Sequence, residues 1–400
     1  MSAAANHFAP EFQLLLDGRP IPAELRASII SLRCQTGYEG LDEVEVVLAN
    51  EKLRWLDNPL FKLDTSLALK LGYSPGSLSQ TFDGEVVARG ASFPSGGMPT
   101  FSITAHDRRH KMAGGKKVRW FAIPLPCPGN LPLPDLATAS IVTLENLMLP
   151  IFDPVGMALS ILLGAVDTVV AITDPNSAQK VIRKQANESD YDFLNRIALE
   201  NGWDLLVEHD GPVGGHLLRF TSSLDKLDAD FTFGYGRSLI DFAPRVSKVG
   251  QIFAVGGFVW IPAIKMTFTV TLGFDWDRMS LTLSISPGMV PIGMQPGDYL
   301  IQEPLTLSSL PRKLISELIP KLNKRLTASG TVLGDPAIRP GNVIRIENAG
   351  EEFGGLYRAT SVTHTIDSAG FRTRFDARKE IWFGSIPLAD QGAVPVRLSF

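Results

Sequence analysis

At 400 residues the chain is longer than one hydrophobic core usually serves, so two or three domains are expected. A formal charge of −4 gives no overall pull toward nucleic acid or an anionic membrane. The two cysteines, Cys34 and Cys127, lie far apart without metal-ligand spacing and read as free thiols of a cytosolically made protein. Charged residues make up 20% of the chain, below the usual quarter, and mean hydropathy is +0.10. That balance points to apolar surface covered by partner chains.

The start, MSAAANHFAPEF, lacks the basic region and apolar core of a secretion signal, so assembly in the cytoplasm is expected. Phe12 to Leu16 reads as a strand closed by the turn Asp17-Gly18-Arg19-Pro20. Ile29 to Cys34 and Asp42 to Leu48 follow as strands. The second alternates as Glu43-Val44-Glu45-Val46, and that period of two gives one wet and one dry face. After the loop Asn58-Pro59-Leu60-Phe61 comes a hairpin, with Leu67 to Leu71 outward, a turn over Gly72 to Gly76, and Phe82 to Val87 returning. Pro99 to Ala105 closes this unit. Short strands divided by Gly/Pro turns indicate a compact barrel or sandwich.

Between Asp107 and Arg119 the chain is basic, with Arg108, Arg109, Lys111, Lys116, Lys117 and Arg119. A proline-rich linker then leads into the apolar segment Ile141 to Ile172. Its longest charge-free run, Pro154 to Val166, is too short to span a bilayer, so a buried helix and no membrane span are expected. Gln185 to Ala198 predicts a helix in which Ser189 or Asp190 is the cap and Phe193, Leu194, Ile197 and Ala198 form the apolar stripe. Trp203 to Glu208 and Leu217 to Thr221 pair across the turn Asp210 to Gly215.

Strands resume at Phe231-Thr232-Phe233, Ser238 to Phe242 and Gln251 to Val259. Ile261 to Leu310 carries alternating runs at Thr267 to Leu272 and Ser280 to Ile285. Pro311 opens a helix to about Leu326, with Leu314, Ile315, Leu318 and Leu322 apolar and Pro320 expected to kink it. From Thr331 to Phe375 three strands (Val343 to Ile346, Leu356 to Ile366, Phe371 to Phe375) are separated by Gly- and Pro-containing turns. The tail Pro387 to Phe400 reads as an extended arm. This meander echoes the Leu67 to Val87 hairpin. Phe82-x-Gly84 and Phe353-x-Gly355 each set an aromatic, one spacer and a Gly at the start of a returning strand, where Gly suits a bulge or close backbone approach. The layout reads as a duplication.

No catalytic, cofactor-binding or metal-binding residue is assigned. His106 and His110 lack a third ligand of suitable spacing and sit beside Arg108 and Arg109, which oppose a cation. His364 shares a strand face with Val362 and Ile366 and reads as structural. Nucleophile-elbow, Walker and dinucleotide glycine patterns are absent. Glu188 and Asp190 lie at a helix start, which favours capping over a glycosidase carboxylate pair. The basic run reads as one solvated loop, so nucleic-acid binding is not expected.

Four places in one order carry a family resemblance. They are Leu71-Gly72-Tyr73 with Phe82-x-Gly84; Gln185-x-x-x-Ser189-Asp190-x-x-Phe193-Leu194-x-x-Ile197-Ala198-x-x-x-Gly202; Asp241-Phe242-Ala243-Pro244-Arg245; and Gly334-Asp335-Pro336-x-Ile338-x-Pro340-Gly341 through His364-Thr365-Ile366. Together they span most of the chain, which resembles the late-control or baseplate-hub proteins of contractile phage tails and the hub part of VgrG-type spike proteins.

The resemblance implies an α+β, mainly β fold with two similar antiparallel β-barrel hub domains, at 1–110 and 231–386, the second carrying an insertion at about 261–327. Between them lie a linker with an apolar helical insertion at 111–184 and a small α/β segment at 185–230, and an arm follows at 387–400. It further implies a homotrimeric hub, six similar modules in a ring, that joins a hexameric inner tube or tube-initiator protein to a trimeric spike among other baseplate components. The alternative is a hub that also carries or releases an effector or cell-wall hydrolase. VgrG-type chains continue into a needle, whereas this one stops at Phe400, so the spike is expected to be a separate polypeptide. Phe82, Gly84, Phe353, Gly355, Asp190, Phe193 and Leu194 are the assembly candidates.

Overall fold

The computed structural model describes residues 9–122, 182–200, 203–211, 214–221, 226–247, 254–261, 264–275, 280–289, 298–305, 310–381 and 396–399. The apolar segment Ile141 to Ile172 and the proline-rich stretch before it lie outside them.

The first module comprises β1 (Ala9–Leu16), β2 (Arg19–Pro20), α1 (Ala23–Ser28), β3 (Ile29–Gly37), β4 (Glu43–Ala49), β5 (Ser66–Ser74), β6 (Ser79–Ser92) and β7 (Thr100–His106). Its strands pair antiparallel in the order β3-β4-β7-β6-β5-β1-β2. In β4 the alternation is realised as read, with Val44, Val46 and Leu48 buried between partly exposed neighbours. They pack with Leu14, Leu32, Leu69, Phe82 and Phe101 into one core.

A small α/β part follows, made of α2 (Arg109–Ala113), β8 (Lys117–Ala122), β9 (Ile182–Glu188), α3 (Asp190–Glu200), β10 (Asp204–Glu208) and β11 (Leu217–Thr221). β8 pairs with β9 and β10 with β11. The stripe Phe193, Leu194, Ile197 and Ala198 on α3 is buried against Trp203 and Leu205.

The second module begins with β12 (Phe231–Gly234) and β13 (Leu239–Val246). An insertion then supplies β14 (Ala254–Ile261), β15 (Met266–Asp275), β16 (Ser280–Pro287), β17 (Tyr299–Leu305) and α4 (Leu310–Asn323). The module resumes with β18 (Leu326–Leu333), β19 (Val343–Glu347), α5 (Gly350–Phe353), β20 (Gly355–Asp367) and β21 (Gly370–Arg378). The final strand, β22 (Val396–Ser399), pairs with β16 of the insertion. Leu310, Leu314, Leu318 and Leu322 line one side of α4 and cover the five-stranded sheet β17-β14-β15-β16-β22, with Pro320 accommodated inside the helix.

Strand by strand, the second module repeats the first. Its order β13-β18-β21-β20-β19-β12 matches β3-β4-β7-β6-β5-β1 in the same chain sequence. The register also agrees. β3 bulges between Ile29 and Ser31 and β13 between Leu239 and Asp241, while β6 bulges between Val86 and Ala88 and β20 between Ala359 and Ser361. Val46 opposes Leu32 and Ile103, and its counterpart Gly330 opposes Phe242 and Phe375. The volumes are traded across that pair. A Cβ on Gly330 would meet the Phe375 ring at 2.5 Å, so the larger aromatic fits because the opposite residue has no side chain.

The backbones of the copies also differ in places. β1 meets β5 antiparallel, whereas β12 meets β19 parallel. The tight turn after β3 is replaced after β13 by residues 247–325, which hold the insertion. The sequence reading began that insertion near residue 261. β14 belongs with it because an alternating strand does not announce which sheet it joins.

The mainly β, α+β character is as expected, and the modules are joined through their backbones. β3 pairs with β4 on one side and with the second half of β20 on the other, from Leu32 opposite Ile366 to Gly37 opposite Ser361. β20 has 13 residues, long enough for its first part to pair with β19 and its second with β3. One thirteen-stranded sheet therefore runs through both modules.

Candidate assembly site

The joint between β3 and β20 is buried on one face, through Leu32, Cys34, Thr36, Val362 and His364. Tyr38 N–H donates to Thr360 O at 3.0 Å, and Tyr73 Oη–H donates to Gly334 O at 2.9 Å while its ring packs on Phe371. Cys34 lies opposite His364, and burial pushes its thiol pKa up, leaving an unreactive group. His364 is buried with Nδ1 at 2.9 Å from Thr373 Oγ1. Burial pulls its pKa down to about 4, so the ring is neutral at neutral pH, and the structural role read from the sequence agrees with this geometry.

The small α/β part clasps the joint from one side. Asp42, in the turn after β3, accepts from Gly37 N at 2.9 Å, pairs with Arg109 at 3.0 Å, and lies 2.7 Å from His209 Nε2. Asp107 accepts from Asp42 N and holds the Arg109 guanidinium at 2.9 Å. Arg109 is only 1% exposed, and burial alone would depress its pKa, but the two carboxylates hold it above its ordinary value. On the second module Arg378 pairs with Asp204 at 2.6 Å and Arg339 with Asp210 at 2.5 Å. Tyr191 Oη–H reaches Gly40 O at 3.3 Å, so α3 and β10 touch both modules at once.

Arg108 pairs with Asp83 and Glu85, Lys111 with Glu85, and Lys117 with Asp190. The basic run read as a solvated loop is thus largely taken up by internal acids. The acids lie up to 73 residues away in the chain, which is why spacing gave no sign of them.

An ion pair recurs at the equivalent place in each module with its polarity reversed, buried in the second and partly open in the first. Glu85 on β6 and Arg358 on β20 occupy matched registers, opposite His106 and Arg378. Two residues after those partners stand Arg108, 3.0 Å from Glu85, and Glu380, 2.9 Å from Arg358. Sequence reasoning passed over both pairs. The available signal was a charge between apolar residues just ahead of a bulge, in Gly84-Glu85-Val86 and Tyr357-Arg358-Ala359.

The assembly candidates from the sequence fall in several places. Phe82 is fully buried and stacks on His209 at 5.2 Å. A Cβ on Gly84 would collide with the His106 carbonyl, so the bare Cα permits close strand approach. Phe353 ends α5, half-buried, and its carbonyl accepts from Tyr357 Oη–H at 2.7 Å. Gly355 holds φ +108°, a region that strains other residues. In register, Gly355 matches Phe82 and Tyr357 matches Gly84, so the two F-x-G motifs do not superimpose although the modules around them do. Ser189 is the cap of α3, its Oγ accepting from Asp192 N at 3.0 Å. Asp190 instead binds Lys117 at 2.5 Å and Gln185 at 2.9 Å, fastening the helix to the paired strands β8 and β9, and Phe193 and Leu194 fill the core beneath.

Buried carboxylates and guanidinium groups are paired at Asp42, Asp107 and Arg109 and at Arg358 and Glu380. A cleft of about 360 Å³ opens beside Asp42 and His209. His209 accepts from Asp83 N at Nδ1 and donates to Asp42 from Nε2, so neither nitrogen is left to act as a base. Asp64, Glu85 and His110 approach within 4.8 Å of one another, but Arg108 and Lys111 already balance Glu85. Among the described residues no helix is long and apolar enough to cross a membrane.

No family model matches the sequence, and no curated protein matches it. Among solved structures, the chain is similar to a tail protein from Neisseria meningitidis, with TM-score 0.56 and 10% identity over 94% of this chain and 98% of that one. It is similar to the 43 kDa tail protein of prophage MuSo2 from Shewanella oneidensis, with TM-score 0.56 and 11% identity over 92% and 98% of the two chains. The resemblance drawn from the sequence is thus met at the level of the fold: the chain is built on the fold of these tail proteins.

Proposed function

We propose that this protein is a structural hub of the baseplate in a contractile phage tail or phage-like injection particle. In this reading three copies form a ring of six similar modules. One face of the ring meets a hexameric inner tube or tube-initiator protein, and the other a trimeric spike. The protein assembles in the cytoplasm and ends in the particle.

The observation that carries the reading is the register-matched duplication of a β module within one chain. A threefold assembly of such chains offers a near-sixfold surface to the tube and a threefold one to the spike, which removes the symmetry mismatch. The fold shared with tail proteins supports it. The buried charges support a rigid scaffold, since each is fixed by a partner on another element.

The test is an electron-microscopy reconstruction of the particle, together with a strain lacking the gene. The chain is expected at the junction of tube and spike, and the deletion is expected to leave tubes without spikes. Complete tails in the deletion strain would overturn the proposal.

A further inference from the structure

We infer that β13 of one copy pairs antiparallel with the outer edge of the second half of β6 of the next copy, with Arg89 opposite Val246 and Ser92 opposite Ala243. This rests on the ring assembly proposed above and specifies the contact that closes it.

The template is the joint inside the chain. There β3 of the first module pairs with the second half of β20 of the second. The duplication maps β3 onto β13 and β20 onto β6, so the complementary joint needs β13 and the second half of β6. Among the described residues both are open edges. β13 ends the strand order of the large sheet. In β6, residues 88–92 pair with β7 on one side, while β5 stops at Glu85 on the other. Among its described residues each chain therefore carries one unused edge of each kind, and a head-to-tail contact in a closed ring uses both.

Burial marks the missing partner. At the internal joint Leu32, Cys34 and Thr36 are buried, as are Val362 and His364. Their counterparts Phe242, Pro244 and Val246 are only half-buried, and Arg89 and Ala91 are exposed. The strand faces match, and the covering strand differs.

The register follows from the bulges. Val362 opposes Thr36 and Thr365 opposes Arg33 across the joint. The matched bulges carry Val362 to Arg89, Thr365 to Ser92, Thr36 to Val246 and Arg33 to Ala243. Tyr38 N–H points across the joint to Thr360, so by alternation Cys34 and its counterpart Pro244 face that way too. Pro244 has no N–H, so the contact runs one donor short. A proline on an open edge also discourages indiscriminate pairing of the free chain.

The experiment places Ser92→Cys and Ala243→Cys together in the full chain with Cys127→Ser. Mild oxidation is followed by non-reducing electrophoresis and by light scattering. Linked species up to three protomers are expected, absent from either single-cysteine chain and much weaker for the off-register pair Ser92→Cys with Arg245→Cys. A trimer by light scattering without cross-links overturns this pairing and leaves the hub reading intact. A monomer at every concentration overturns both.

Discussion

The two β modules share strand order and two matched bulges, yet differ where side chains meet. The first buries Val46 against Ile103, and the second Gly330 against Phe375. The first holds Glu85 with Arg108 and the second Arg358 with Glu380, the same bridge with its charges exchanged. One uses its β3 edge inside the chain, and in the other β13 is an edge strand among the described residues. Backbone pairing thus holds this architecture while the contents of paired sites change, provided volume and charge stay complementary.

The polar bridges offer the largest contrast. In the second module the side chains of Arg358 and Glu380 are 4% and 0% exposed, against 27% for that of Arg108 in the first. Arg358→Met leaves the Glu380 carboxylate buried with Arg378 alone, and a loss of about 3–5 kcal/mol is expected in urea unfolding. A loss below about 1 kcal/mol, no larger than that expected for the more open first bridge, would contradict this contrast.

The volume trade is tested by transplantation. Gly330→Val alone drives a side chain into the Phe375 ring and is expected to cost about 1–3 kcal/mol. Adding Phe375→Ile recreates the Val46–Ile103 pair of the first module and is expected to recover most of that loss. A strictly additive double-mutant cycle would contradict the correspondence of these sites.

The third difference is His364, which stands where the first module has Ala91. With its pKa lowered from 6.5 to about 4, the folded protein binds fewer protons than the unfolded chain between those values. Its contribution is therefore complete above pH 6.5 and is lost as pH falls toward 4, by about 3 kcal/mol in all. His364→Gln is expected to flatten stability against pH in that window. An unchanged slope would remove His364 as its source.

Arg108→Met should have the smallest effect, about 1 kcal/mol or less, because Arg108 is partly open and Lys111 still serves Glu85. Calorimetry on this variant and Arg358→Met gives the ratio directly.

Much of the fold was legible because strands announce themselves by alternation. The β4 run from Glu43 to Leu48 and the meander from Val343 to Phe375 lie where their patterns put them. The α3 stripe was legible for the same reason, at helical spacing. The candidate site was much less so. Phe82 and Gly84 were found by a motif whose second copy is displaced by two residues, so the right conclusion of duplication rested on a pair that does not align. The Asp42–Arg109–His209 cluster unites residues from three distant segments, and no local pattern encodes such a meeting. The β3–β20 pairing was invisible for the same reason: a strand's sequence gives its faces and leaves its neighbours unnamed.

Electron-microscopy class averages of the purified protein, viewed down the ring axis, bear most directly on the repeated modules. Six similar lobes are predicted, with the residue 247–325 insertion enlarging every second one and reducing the symmetry to threefold. Isolated elongated protomers, or a ring whose lobes do not alternate, would contradict the account.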